Sequence, residues 1–132
     1  MKCPTCKQHD LVPGETDYNH NVGGEKVSVM VSSENCPGCG ESLTGCRALQ
    51  AGERTISFGF LREGESLTGP RLRFIRKTLG LRVPHLADIL DLDESRLARW
   101  EKGEEALLAT DVLAIVPRLR SLLSAPDPTE TP

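Results

Sequence analysis

The stretch Thr68-Gly-Pro-Arg-Leu-Arg-Phe-Ile-Arg-Lys-Thr-Leu-Gly80, continued by Leu81-Arg-Val-Pro-His-Leu-Ala-Asp-Ile-Leu-Asp-Leu-Asp93 and Glu94-Ser-Arg-Leu-Ala-Arg-Trp-Glu-Lys-Gly103, decides the C-terminal fold. Its apolar residues recur three and four apart, the spacing of one helix face. Thr68 can cap a first helix whose inward residues are Leu72, Ile75 and Leu79, with Gly80 at its stop. A second short helix is predicted from about Val83 to Leu90, with Pro84 tolerated in its first turn and Leu86, Ala87 and Leu90 facing in. Asp91-Leu92-Asp93 then makes a tight connection, and Asp93 can cap a third helix, Glu94 to Lys102, anchored by Leu97 and Trp100 and ended by Gly103. Two short helices on a three-residue turn make a helix-turn-helix. Leu113, Leu119, Leu122 and Leu123 supply closing helices, with Pro117 expected to break or kink the chain after Val116.

With Leu97 and Trp100 turned inward, Glu94, Ser95, Arg96 and Arg99 face outward. In a helix-turn-helix the start of the third helix enters the major groove. Arg99 can pair with a guanine edge through two hydrogen bonds, Ser95 can bond several bases, and Glu94 can accept from cytosine. Arg82 and Arg96 are placed for phosphates, which set register without reading sequence. The competing reading is a solvated helix face. His85 is read as a surface residue and Trp100 as core.

Upstream the composition changes. Cys3-Pro4-Thr5-Cys6 and Cys36-Pro37-Gly38-Cys39-Gly40 are two Cys-x-x-Cys pairs separated by 29 residues. Each can point two sulfurs at one ion, and together they complete a closed tetrahedral shell for one structural Zn2+ per chain, with no open position for catalysis. The alternatives are redox-active dithiols or unligated buried thiols. Redox activity would want a pair opening a helix, and neither pair is followed by helical spacing. Cys46 is read as a small core residue, not a fifth ligand, and His9 and His20 as surface loop histidines. Between the pairs, Lys26-Val27-Ser28-Val29-Met30-Val31-Ser32 alternates with a period of two, the mark of a strand.

These patterns divide the chain into a zinc-binding domain over residues 1–46, a connecting segment over 47–67, a helical DNA-binding domain over 68–123 and a disordered tail over 124–132. In the connecting segment Ala48, Leu49, Ile56, Phe58 and Phe60 could line a helix or a strand. The tail holds three prolines and no large apolar side chain.

In 132 residues, aromatics make up only 4%, so neither half can bury a large aromatic core and a cross-link is expected. The net charge of -3 hides an uneven spread. Residues 1–67 carry 6 bases against 9 acids and residues 68–132 carry 10 against 10, with Arg71, Arg73, Arg76, Lys77 and Arg82 in one acid-free stretch. A local basic face is therefore present without a basic domain, which permits a nucleic-acid partner. No apolar run resembles a signal peptide or a membrane span, so the protein is read as cytoplasmic with no membrane partner, a compartment in which paired cysteines serve as metal ligands more often than as disulfides. No nucleophile with a base, paired carboxylates or phosphate-cradling glycine loop is evident, which argues against an enzyme.

The run Leu67–Leu81, then Leu86-Ala87, then Arg99-Trp100-Glu101-Lys102-Gly103 resembles the Xre/Cro-type helix-turn-helix of phage repressors. Joined to the two-knuckle module, the chain resembles the MqsA antitoxin family, the YgiT-type zinc-finger proteins. The fold expected is a small α+β zinc-binding module followed by an all-α Xre/Cro-type domain. The resemblance implies a homodimer held through the helical half, repression at a palindromic operator of double-stranded DNA, and a zinc module that neutralises a ribonuclease toxin. By position it implies base contacts at Ser95 and Arg99 and an internal ion pair between Arg76 and Glu101. Such domains usually open their second helix with Ser and Gln; here Arg82-Val83-Pro84 stands instead, so Arg82 would replace a phosphate contact. Two functions from different classes follow: a DNA-binding repressor, and a protein-interaction module that sequesters a toxin through residues 1–67.

Overall fold

The computed structural model describes residues 1–124; of the tail expected over 124–132, Ser124 instead ends a helix and the rest lies outside the described residues. Those described fall into two compact units, Met1–Ile56 and the residues from Ser57 onward. The division lies inside a helix that the sequence left open between two conformations.

In the first unit β1 (Val12–Val22) and β2 (Glu25–Asn35) form an antiparallel hairpin, with Val22 opposite Glu25 at its tip. Gly23 and Gly24 have φ of 61° and 85°, the paired left-handed conformations that a two-residue turn needs to match strand twist. The short β3 (Ser42–Leu43) pairs with the end of β2. The expected strand over 26–32 is thus the middle of an eleven-residue β2. Its partner β1 went unread because its alternation is carried by polar residues: half-buried Thr16, Tyr18 and His20 alternate with exposed Glu15, Asp17, Asn19 and Asn21.

Residues 47–67 begin as helix, not strand. Helix α1 (Cys46–Phe60) buries Gly52, Ile56 and Phe60 at intervals of four. A Cβ on Gly52 would sit 2.6 Å from Val31 Cγ1 and 3.2 Å from Tyr18 Cδ1, so glycine lets the helix backbone lie close on the sheet. Cys46, expected in the core, is exposed at the first position of this helix. His20 corrects a second expectation: it lies on β1, not in a loop, edge-on to Tyr18 with ring centroids 4.6 Å apart. Glu53 accepts from Tyr18 at 3.1 Å and lies 3.8 Å from His20 Nε2.

The second unit is helical. Its helices are α2 (Gly69–Thr78), α3 (Val83–Ile89), α4 (Glu94–Lys102) and α5 (Ala109–Ser124). The Thr68 hydroxyl accepts from the Arg71 N–H and the Asp93 carboxylate from the Ser95 N–H, both at 3.4 Å, while Gly103 closes α4 at φ 77°. Leu72, Ile75, Leu86, Leu97, Trp100, Ile115, Leu119 and Leu123 form the core, each at most 2% exposed. Two expectations for α5 change. The helix runs through Pro117 unbroken, because the residue is exposed and the carbonyl it leaves unmatched, four residues back, can be hydrated. Leu113, expected to close the core, is 75% exposed, since Ile115, Leu119 and Leu123 already fill the inward face at intervals of four.

The seam between α2 and α4 is unusually close. A Cβ on Gly69 would run into the Trp100 carbonyl oxygen and lie 3.3 Å from that of Glu101. Neither atom can yield, being backbone. Gly69→Ala is therefore expected to destabilise this unit by about 2–3 kcal/mol, read as a lower urea midpoint in circular dichroism. An unchanged midpoint would mean that α2 and α4 are not in this register.

Candidate metal centre and nucleic-acid interface

The two Cys-x-x-Cys turns share one backbone design. The Lys7 N–H donates to the Cys3 carbonyl at 2.9 Å and the Gly40 N–H to the Cys36 carbonyl at 3.1 Å. Lys7 and Gly40, each following the second cysteine of its pair, both have positive φ, 59° and 79°. Returning strands fasten each turn from behind, with Cys3 N–H donating to His9 O and Cys36 N–H to Glu41 O. Leu11 and Leu43 pack beside the sulfurs.

This geometry brings Cys3, Cys6, Cys36 and Cys39 together, with all four sulfurs within 4.8 Å of one another. The Cys3–Cys39 and Cys6–Cys36 Sγ pairs are 3.6 Å apart. A tetrahedron with Zn–S bonds near 2.3 Å has edges of about 3.8 Å, so the four donors fit such an ion. The electrostatics point the same way. The Cys6 thiol is lowered to about 5, chiefly by the backbone N–H of Gln8 and then by His9. Cys3 is also lowered, chiefly by the Cys6 backbone. Cys39 is pushed up to about 12: the Glu41 backbone pulls it down, but burial and the three facing sulfurs outweigh it. Four thiols this close cannot all ionise without a cation to offset their repulsion.

The sequence reading placed His9 on the surface, and it is exposed, yet its Nδ1 lies 3.8 Å from Cys6 Sγ. A Cβ on Gly38 would overlap the imidazole, so the second turn lies directly over it. Only proximity in the folded chain reveals this. His20 is remote from the sulfurs, on β1 with Tyr18 and Glu53.

In the helical unit, Glu94, Ser95 and Arg99 are exposed on α4, and Arg82 is exposed at the cap of α3. Arg76 and Glu101 form a two-pronged pair, Nε–Oε2 at 2.8 Å and Nη2–Oε1 at 2.9 Å. Arg76 also donates to the Leu81 carbonyl at 3.0 Å, so it fastens α2 to α4 and to the loop before α3. Arg96 is engaged on three sides. Its guanidinium lies 4.9 Å from the Trp100 ring centroid, its Nε 3.1 Å from Glu105 Oε2 and its Nη2 3.2 Å from Asp111 Oδ1. Arg99 Nε lies 3.4 Å from Glu105 Oε1. Hydrogen bonding from Arg96 is the leading cause of a lowered Glu105 carboxyl. Sequence reasoning missed both acids, because they stand 9 and 15 residues beyond Arg96.

The two halves define a class of protein: a four-cysteine metal-binding module joined to an all-α domain containing a helix-turn-helix. The family model for the antitoxin component of bacterial toxin-antitoxin systems, MqsA, matches residues 1–127, and the chain belongs to this family. No curated protein matches the sequence. Among the described residues no helix is long and apolar enough to cross a membrane.

Cys36→Ser removes one of four donors and should release metal to a competing chelator at least about tenfold faster than the unsubstituted chain. Cys46→Ser, outside the four-sulfur cluster, should change nothing. Acid should act in the same direction as Cys36→Ser, since the lowered Cys6 and Cys3 thiolates regain protons as pH falls. Equal release rates for both variants would remove Cys36 from the ligand set.

Proposed function

We propose that this antitoxin holds one structural zinc ion at Cys3, Cys6, Cys36 and Cys39, and that it represses transcription as a dimer on double-stranded operator DNA read by α4. When bound, the ion supplies a cross-link between the two turns and no reactive coordination position. The observation that carries the DNA reading is the construction of α4. Leu97, Trp100 and Glu101 are tied into the unit from behind, and Ser95 and Arg99 stand exposed on the opposite face. A rigid helix with a hydroxyl and a guanidinium outward suits base edges in a major groove. Arg82, free of a side-chain capping bond, suits a phosphate. Arg96, held by Glu105 and Asp111, contributes by supporting the helix.

Dimerisation through the helical unit fits the outer face of α5. Leu113 there is 75% exposed and lines a groove with Leu61, Leu67, Val112, Val116 and Pro117. A self-complementary apolar patch is what a two-fold interface needs, and a palindromic site mirrors that symmetry.

A second reading is favoured by family membership: the main task is sequestration of the toxin, a ribonuclease, through residues 1–67. The excess of acids there, 9 against 6, suits a basic partner. The two readings are compatible, and each has its own test.

Arg99→Ala should cost about 1–3 kcal/mol of specific DNA binding, measured by gel shift on the DNA upstream of the protein's own reading frame. Leu113→Asp should shift the sedimentation coefficient to that of a monomer without unfolding the chain. For sequestration, coexpression with the adjacent reading frame and a pull-down should recover a complex that residues 1–67 alone still form. Unchanged affinity in Arg99→Ala would overturn the docking of α4.

A further inference from the structure

We propose that Glu105 is a positioning residue for sequence discrimination: its carboxylate grips the Nε edge of Arg99 so that the two terminal amino groups face outward as a fork for guanine. This rests on the DNA-binding reading above and deepens it. Arg99 is exposed on α4, and a free arginine there would sample many rotamers, each lost on binding. Here one edge is already engaged, Nε to Glu105 Oε1 at 3.4 Å. Among the described residues nothing else takes its guanidinium. The unengaged terminal pair has the geometry for two parallel bonds to guanine O6 and N7.

Glu105 is itself held. After the left-handed Gly103, the N–H groups of Glu104 and Glu105 both return to the Arg99 carbonyl, at 2.9 and 3.4 Å. Its second oxygen takes Arg96 Nε at 3.1 Å. Arg96 is fixed in turn by Asp111, at 3.2 and 3.3 Å, and by the Trp100 ring beneath it. Asp111 accepts from the Leu108 N–H at 3.0 Å. A continuous line of contacts therefore runs from the buried indole through Arg96 and Glu105 to Arg99.

The same carboxylate lowers the positive potential of the reading face, which weakens sequence-independent attraction to phosphates. Its removal should thus have two effects of opposite sign. Binding to any duplex should strengthen, while preference for the guanine should fall.

The test uses the full, metal-loaded chain and a randomised double-stranded oligonucleotide library, with poly(dA-dT), which lacks the O6 acceptor, as the non-specific probe. Glu105→Ala should bind poly(dA-dT) more tightly and lose about tenfold or more of the preference for the guanine read by the unsubstituted protein. Arg99→Ala should lose the same preference without the tighter non-specific binding. Glu105→Gln, which keeps the length and one acceptor, should match Glu105→Ala on poly(dA-dT) while retaining more of the preference. Thermal midpoints establish that each variant is folded; where Glu105→Ala is not, Glu105→Gln against the unsubstituted chain decides by the same criterion. Equal strengthening on both probes would make Glu105 a charge effect only and overturn the proposal, as would no change on either. Loss of preference in Arg99→Ala beside an unaltered Glu105→Ala would overturn the positioning role alone. Recovery of no enriched sequence by the unsubstituted chain would overturn the DNA reading and this role with it.

Discussion

The Arg76 guanidinium meets both oxygens of Glu101 at 2.8 and 2.9 Å, with the two side chains only 14% and 6% exposed. Charges taken this far from water are tolerated only when each finds its full set of partners. The Leu81 carbonyl completes the set by accepting from Nη1. One arginine on α2 thus fixes the rotation of α4 about its own axis and the start of the path into α3. Rotation decides which residues face out. With Glu101 and Trp100 drawn inward, Ser95 and Arg99 can only be presented to the exterior. A hydrophobic contact would hold the helices together but tolerate rotation, because it has no direction; the two-pronged bond tolerates little.

The first unit solves a different problem. Its buried apolar residues are few and dispersed: Leu11 before β1, Val22 and Val31 on the hairpin and Ile56 on α1 are among them. A core so sparse gives little stability at this size. The sulfurs converge at the end of the hairpin remote from its tip, where Cys3 and Cys36 are the most deeply buried of the four. Two turns of like construction, with Lys7 and Gly40 in equivalent left-handed positions, supply the convergence. Lysine at that position strains the backbone where glycine does not, so four donors converging on one point matter more to this turn than local propensity.

Features that depend on local chemistry were legible in the sequence. The two cysteine pairs, the Thr68 and Asp93 caps, the Gly103 stop and the inward set around Leu97 and Trp100 could all be read from neighbours within four residues. What escaped depends on distant partners. β1 has no apolar alternation, and only its register against β2 shows that Thr16, Tyr18 and His20 share a face. The glycines of α1 argue against a helix until Gly52 is seen to be the place where the helix meets Val31. The partners of Arg96 were likewise out of reach, because its acids come from the turn after α4 and the start of α5.

On the DNA-binding reading proposed above, that last case bears on how an acidic chain would work on a polyanion. With a net charge of -3, long-range attraction does little for it, and screening within about 10 Å confines what remains to the local surface. Placing Glu105 and Asp111 against Arg96 reduces that attraction further, which would be a loss for affinity. The compensation lies in selectivity. A protein that must find one operator among very many competing sites is limited by the ratio of specific to non-specific binding. On that reading, pairing Arg96 with Glu105 and Asp111 while the forked end of Arg99 stays outward would lower the denominator of that ratio more than the numerator.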